Sequence, residues 1–89
     1  MVKDGKYITK YDTIIWYKKY LKHSYNDKPA VIFENGTKWW YKDGKRHRDN
    51  GPAIIWNSGD DSWYKDGHQL GQSEVKRLYR ENRLKQLLS

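Results

Sequence analysis

Residues 40–44 read Trp-Tyr-Lys-Asp-Gly, and the same five residues return at positions 63–67, 23 positions later. A second segment repeats at the same spacing, because Pro-Ala-Val-Ile at 29–32 becomes Pro-Ala-Ile-Ile at 52–55. A unit this short cannot bury its own apolar face, so neighbouring copies must stack against one another. Small stacked repeats mostly serve as binding surfaces, which favours a binding protein over an enzyme.

Each copy has the features of a β-hairpin. Asn35-Gly36 follows the apolar run of the first copy, and Asn-Gly is the strongest two-residue hairpin signal. Ser58-Gly59 is its weaker equivalent in the second copy. The predicted fold is mainly β: a twisted antiparallel meander of tandem hairpin repeats of about 23 residues each. The predicted returning strands are 37–42 and 61–65, and an opening hairpin is expected from segments 6–10 and 13–19.

A degenerate copy comes first. Trp16 and His23 stand seven residues apart, as Trp40 and His47 do, and Tyr20 replaces the glycine of the later turns. A residue that recurs in a repeat usually serves the repeat itself. The two histidines are therefore expected to hydrogen-bond a turn and pack on tryptophan.

The end of the chain changes character and predicts a basic amphipathic helix over 73–88. Ser73 is a good N-cap, Glu74 suits the first turn, and no Gly or Pro follows. The predicted single domain spans 1–89, with repeats over 1–71 and this helix capping the open end of the sheet. One apolar stripe of the helix comprises Val75, Leu78, Tyr79 and Asn82, whereas Leu84, Leu87 and Leu88 fall elsewhere.

Composition narrows the class of protein. The 89 residues suit one small domain with a thin core, and the chain has no cysteine. The net charge of +7 favours an anionic partner, such as nucleic acid, an acidic protein or a membrane surface. No apolar run reaches the length of a membrane span and no leader pattern precedes the repeats, so a cytoplasmic location is expected.

The stretch 40–53 follows the pattern W-Y-x-x-G-x-x-H-R-x-x-G-P-A. It resembles the MORN-like repeat family, in the short form often found in bacteriophage genomes and related to MORN-repeat antitoxin components. The resemblance covers roughly Trp16 to Gly67. It implies a hairpin meander with no catalytic residues, no metal and no cofactor, acting as a protein-interaction or lipid-headgroup module and in some cases as an inhibitor. For a phage protein, the location would be the host cell cytoplasm.

Two basic clusters are the candidate binding sites. Cations can follow phosphates while neighbouring aromatic rings stack on bases, and single-stranded RNA suits this better than a duplex whose bases are already stacked. A solvated turn beside core tryptophans and an ordinary solvated helix face are the alternatives. The first cluster is Lys42, Lys45, Arg46, His47 and Arg48 with Trp40 and Tyr41, and the second is Lys76, Arg77, Arg80 and Arg83.

Enzyme signals are poor, since the aspartates lie in turns and no Ser or His has an identifiable catalytic partner. The leading prediction is therefore a phage-type accessory protein that binds RNA and inhibits a host defence or toxin protein, such as a toxin nuclease. One alternative is an antitoxin-like protein-interaction module with no nucleic acid. A weaker alternative is a module that binds anionic membranes. Two open sheet edges leave both a monomer and a homo-oligomer open.

Overall fold

The computed structural model describes residues 4–88, apart from the side chains of residues 82, 85, 86 and 88. It is mainly β, with antiparallel strands and a single helix at the C-terminal end, which confirms the predicted fold class. The elements are β1 (Gly5–Ile8), β2 (Ile14–Lys18), β3 (Leu21–Lys22), β4 (Val31–Ile32), β5 (Lys38–Trp39), β6 (Tyr41–Lys42), β7 (Lys45–Arg46), β8 (Ile54–Ile55), β9 (Asp61–Ser62), β10 (Tyr64–Lys65), β11 (His68–Gln69) and α1 (Gln72–Leu88).

The main sheet is a meander in the order β1-β2-β4-β5-β8-β9, with β3 also paired to β2. The predicted opening hairpin is confirmed, because β1 and β2 pair from Gly5↔Tyr17 to Ile8↔Ile14. Two further ribbons, β6-β7 and β10-β11, pair separately from this sheet. Each ribbon follows directly after a strand of the main sheet along the chain.

The two returning strands are broken, which corrects the predicted continuous strands 37–42 and 61–65. β5 ends at Trp39 and β6 begins at Tyr41, so Trp40 belongs to neither. Its backbone N–H donates to the carbonyl of Ala53 at 2.7 Å, and its indole Nε1 donates to the carbonyl of Asp27 at 2.9 Å. These two bonds hold the indole in the core. A continuous strand would place Trp39 and Tyr41 on one face and Trp40 on the other, and this alternation is interrupted at Trp40.

Matching hydrogen bonds join the repeated segments. Trp16 donates its backbone N–H to the carbonyl of Ala30 at 2.7 Å, as Trp40 does to Ala53. Both alanines have no exposed surface, so nothing larger than a methyl group fits where these strands meet. The buried apolar residues among those described are Ala30, Val31, Trp40, Ala53, Ile54 and Trp63.

The ribbon turns need left-handed backbone. Asp43 and Gly44 have φ of 49° and 84°, which is the pattern of a type I′ turn. In the degenerate first copy the same conformation falls on Lys19 and Tyr20, with φ of 50° and 71°. Tyrosine carries a Cβ that glycine lacks, so this turn stores backbone strain.

Replacing Tyr20 with glycine is expected to raise the free energy of unfolding by about 1 kcal/mol, because relief of the left-handed strain exceeds the added chain entropy. The matched control is Tyr11→Gly, since Tyr11 is also an exposed turn tyrosine but has no positive φ. Tyr11→Gly should leave the free energy of unfolding unchanged or slightly lower. Urea unfolding followed by circular dichroism makes the comparison. Equal effects of the two changes would contradict the strain at Tyr20.

The helix begins one residue earlier than predicted. α1 starts at Gln72, and the carbonyl of Gly71 accepts the N–H of Val75 at 3.0 Å. Gly71 therefore takes the cap position that was predicted for Ser73, and Ser73 lies inside the first turn. The ring of Tyr79 lies 5.7 Å from that of Trp63, so α1 covers the last repeated tryptophan.

Candidate functional site

The repeated histidines hold turns, as expected from their recurrence. The Nδ1 atom of His47 accepts the backbone N–H of Asp66 at 2.9 Å, and that of His23 accepts the N–H of Asp43 at 3.2 Å. With Nδ1 of His47 as acceptor, Nε2 is the donor of the second bond, to Oδ1 of Asp49 at 2.8 Å. His47 is buried with both nitrogens engaged. Neither ring nitrogen is therefore left for a ligand in this fold, and the proposal below does not use His47 to bind RNA.

The carboxylate of Asp49 depends on this histidine. The hydrogen bond from His47 is the main reason that the pKa of Asp49 lies below its ordinary value; partial burial opposes the shift, and the charges of His47, Lys65 and Lys42 add to it. A carboxylate whose pKa falls on folding stabilises the folded state above its unfolded pKa. That contribution is lost as the pH falls through the lowered folded pKa.

Arg48 is committed to the fold. Its Nε and Nη2 donate to the two carboxylate oxygens of Asp27 at 3.0 and 3.3 Å, and Nη1 donates to the carbonyl of Pro52 at 3.2 Å. Its guanidinium carbon lies 3.9 Å from the centroid of the Trp40 ring. Trp40 is only 4% exposed, so it cannot stack on a base. In this structure both residues belong to the repeat junction, and neither leaves a free group for the predicted role as an RNA ligand.

Gly51 stands directly before the repeated Pro-Ala segment, where the first copy has Lys28, and its surroundings explain the glycine. A Cβ on Gly51 would lie 3.1 Å from Nη1 and 3.2 Å from Cζ of Arg48. Such contacts are closer than ordinary van der Waals separation, so a side chain here would shift the guanidinium by a few tenths of an ångström. Gly51 thus leaves room for the stacked arginine.

Arg46 is enclosed by aromatic rings. Its guanidinium carbon lies 5.0 Å from the ring centroid of Trp39, 5.9 Å from that of Tyr41 and 4.9 Å from that of Tyr64. Its Nε is buried and has no hydrogen-bond acceptor. Cation–π attraction within about 6 Å joins rings of two successive copies through this side chain. In this structure Arg46 and the half-buried Tyr41 therefore pack within the repeats, and neither stands as the free cation or open stacking ring that the sequence predicts.

Two exposed lysines remain from the first cluster. Lys42 and Lys45 flank the turn between β6 and β7, and neither forms an ion pair with another residue of the described range 4–88. The structure thus reduces a predicted seven-residue surface to two lysines. Two such charges on one turn are an ordinary solvated surface.

The helix cluster is different. Arg77 is partly neutralised, since its guanidinium lies 3.4 Å from Glu74 and 4.0 Å from Glu81. Lys76, Arg80 and Arg83 form no ion pair within residues 4–88. Their spacings of four and three residues place them on the same face of α1. Together with Val75 and Tyr79, they line a groove of about 360 Å³, which we call the helix groove.

Tyr79 gives the helix groove an aromatic wall. Tyr79 belongs to the apolar stripe predicted for the helix, and 61% of its surface is exposed. One edge of its ring packs on Trp63, which fixes its orientation. A signal was present in the sequence, because Tyr79 follows Lys76 by three residues and precedes Arg83 by four.

No protein-family model, curated protein or solved structure matches the chain. The resemblance to MORN-like repeats therefore stays a prediction from the pattern at 40–53. Within residues 4–88, no group of three or more His, Asp and Glu side chains could hold a metal ion. No helix in the same range is long and apolar enough to cross a membrane.

Proposed function

We propose that this chain is a small non-enzymatic protein that binds single-stranded RNA in the helix groove. The observation that carries the proposal is the set of three cations without acidic partners, Lys76, Arg80 and Arg83, around the exposed ring of Tyr79. Every other cation of the two predicted clusters either contacts an acidic or aromatic neighbour or lies on the β6-β7 turn, where the charge of Lys42 acts on Asp49.

The chemistry of the helix groove suits a single strand. Arginine and lysine neutralise successive phosphates, and the planar guanidinium fork matches phosphate oxygens. An exposed tyrosine ring offers a base a stacking surface worth about 1–3 kcal/mol. In a duplex the bases are already stacked, so Tyr79 would contribute nothing there.

The wider setting follows from the resemblance to phage-type MORN-like repeats and the related antitoxin components. We place the protein in the host cytoplasm as an accessory factor, with inhibition of a host defence or toxin protein as its effect. A toxin nuclease is a suitable target, because RNA bound in the helix groove could also be bound by the nuclease and would link the two proteins.

Binding is expected to weaken about twentyfold between about 50 and 200 mM salt, since three phosphate contacts on a single strand give a slope of about −2 in log affinity against log salt. Replacing Arg80 with glutamine should reduce that loss to about sevenfold, because one contact disappears. Fluorescence anisotropy of a labelled oligouridine measures both values. Duplex DNA and vesicles of anionic lipid serve as competitors that test the other anionic partners.

Arg77→Gln is the matched control for Arg80→Gln. It removes the same charge from the same helix, but Arg77 lies beside Glu74 and Glu81. The salt dependence should therefore stay that of the unmodified chain. Equal effects of the two changes would mean that only net charge matters and would remove the helix groove as the site.

A protein-interaction module is the second candidate, and two exposed leucines favour it. Leu84 and Leu87 are 52% and 75% exposed. Apolar side chains on an outer helix face are a common means of docking a protein partner. A Leu84→Ser, Leu87→Ser double variant should bind RNA normally if the helix groove is the site. Two results together would favour the second candidate: the unmodified chain binds no RNA, and it captures a host protein that the double variant does not capture.

A further inference from the structure

The repeat stack ends at an open sheet edge. β9 pairs with β8 on one side only, and no strand lies on its outer side within residues 4–88. Its counterpart β5 is paired on both sides, with Lys38 opposite Ile55 and Trp39 opposite Ile54 in β8. Asp61 and Ser62 of β9 correspond to those two residues of β5, 23 positions later. One repeat earlier, β8 pairs with the outer side of β5. The outer side of β9 is the equivalent position, and it holds no strand within residues 4–88.

One unpaired donor marks this edge. The backbone N–H groups of Trp16 and Trp40 each donate at 2.7 Å to an alanine carbonyl of the following Pro-Ala segment. The N–H of Trp63, in the equivalent position, has no acceptor among the described residues. An edge donor without a protein acceptor is available to a strand that adds to the sheet.

The chain itself does not supply the missing strand. In the second copy, the segment 52–55 that pairs beside Trp40 comes shortly after it in the sequence. The equivalent segment after Trp63 is 75–78, which reads Val-Lys-Arg-Leu and lies inside α1. α1 covers the indole of Trp63 through Tyr79 and leaves a cleft between the helix start and the sheet edge. This terminal cleft has a volume of about 480 Å³, within the usual range for ligand sites. Its lining includes Asp61, Ser62, Trp63, Leu70, Val75 and Lys76.

We infer that the terminal cleft binds an extended peptide of the type Gly-Pro-Ala-Ile-Ile from a partner protein, added as the next strand of the sheet. The cleft continues an interface that the chain already forms twice, at Ala30 and at Ala53. In both cases the incoming strand offers an alanine carbonyl to a tryptophan N–H and β-branched residues to the neighbouring strand. Strand addition of this kind takes affinity from backbone bonds and specificity from side-chain pockets.

A second copy of this chain is a poor occupant. A second copy would have to offer a strand that has a free outer edge and stands at the position of the Pro-Ala segment. Within residues 4–88, only β1 meets both conditions, and its sequence is Gly-Lys-Tyr-Ile. Lys6 of β1 pairs with Trp16, and it stands where the fully buried Ala30 and Ala53 stand in later copies. Lysine on an edge strand opposes pairing with another chain. The alanine position thus selects for a foreign peptide with a small residue there.

The test uses a labelled peptide with the sequence of residues 49–57, Asp-Asn-Gly-Pro-Ala-Ile-Ile-Trp-Asn, added to the full chain labelled with ¹⁵N. We expect saturable binding, with a downfield shift and slowed exchange of the Trp63 backbone amide. A peptide carrying lysine in place of the alanine should bind at least tenfold more weakly, because that position is closed to larger side chains. Asp61→Pro in the protein removes an edge N–H and should weaken the original peptide similarly.

Three results of the peptide titration would overturn the inference. These are no binding of the original peptide, equal binding of the lysine peptide, or binding that leaves the Trp63 amide unchanged. Concentration-dependent protection of that amide without any peptide would identify a second copy as the occupant and would also overturn the assignment. The Trp63 amide is read in the unmodified protein, so the test stands even if the Asp61→Pro variant fails to fold. RNA affinity is measured separately through Arg80 and Arg83, which line the helix groove but not the terminal cleft, whereas Val75 and Lys76 line both.

Discussion

Replacing Trp40 with alanine is expected to cost about 4 kcal/mol of unfolding free energy. The indole is 4% exposed, carries the stacked guanidinium of Arg48, and donates from Nε1 to the carbonyl of Asp27. A chain of this size has about 4–13 kcal/mol of total stability, so much of the molecule would be unfolded under ordinary conditions. Urea unfolding followed by far-ultraviolet circular dichroism should show an early or absent cooperative transition.

Trp56→Ala is the matched control for this change. Trp56 lies at a hairpin turn and is 39% exposed, so its removal should cost only about 1 kcal/mol. The two variants delete the same atoms from neighbouring copies of one sheet. Equal losses would mean that Trp40 does not anchor the repeat junction and would contradict the architecture described above.

Arg48→Ala is expected to lower the free energy of unfolding by about 2–3 kcal/mol, although arginine is usually a surface residue. The change removes a two-pronged ion pair with Asp27, a hydrogen bond to the carbonyl of Pro52 and the stack on Trp40. Arg48→Lys should recover little of the loss, because an ammonium group cannot form the planar fork or the stack. Thermal and urea unfolding measure both variants.

Arg77→Ala is the control for Arg48→Ala. Arg77 also contacts two carboxylates, but its side chain is 63% exposed, so the cost should stay below about 0.5 kcal/mol. If Arg48 were instead a free RNA ligand, its removal would leave stability at the control value and reduce RNA binding. This comparison therefore decides between the structural and the ligand role of Arg48.

Much of the fold could be predicted from the sequence because the repeat signals are local. A hairpin turn such as Asn35-Gly36 needs only its own backbone preferences, and two copies in the same order require a meander. The break at Trp40 could not be predicted, because it depends on a hydrogen bond to Ala53 across the sheet. The helix start shifted from Ser73 to Gln72 because a glycine carbonyl is enough to accept the first helical bond.

In the candidate site too, contacts between residues close in sequence could be predicted, whereas contacts between distant residues could not. The pairing of Arg77 with Glu74 and Glu81 follows from their spacing on one helix. The pairing of Arg48 with Asp27 joins residues that lie 21 positions apart, and only the fold brings them together. A count of positive charges in the sequence therefore overestimates the number of free cations in the first cluster. The same count is closer to the number of free cations in the helix cluster.

Titration of ¹⁵N-labelled protein with single-stranded oligouridine tests the proposed RNA site most directly, because it reports every backbone amide at once. The proposal predicts saturable shifts over residues 75–83, centred on Tyr79 and Arg80, with little change at residues 42–48. Shifts at 42–48 with an unchanged helix would instead assign the RNA to the β6-β7 turn. Unchanged spectra at low salt would contradict RNA binding altogether.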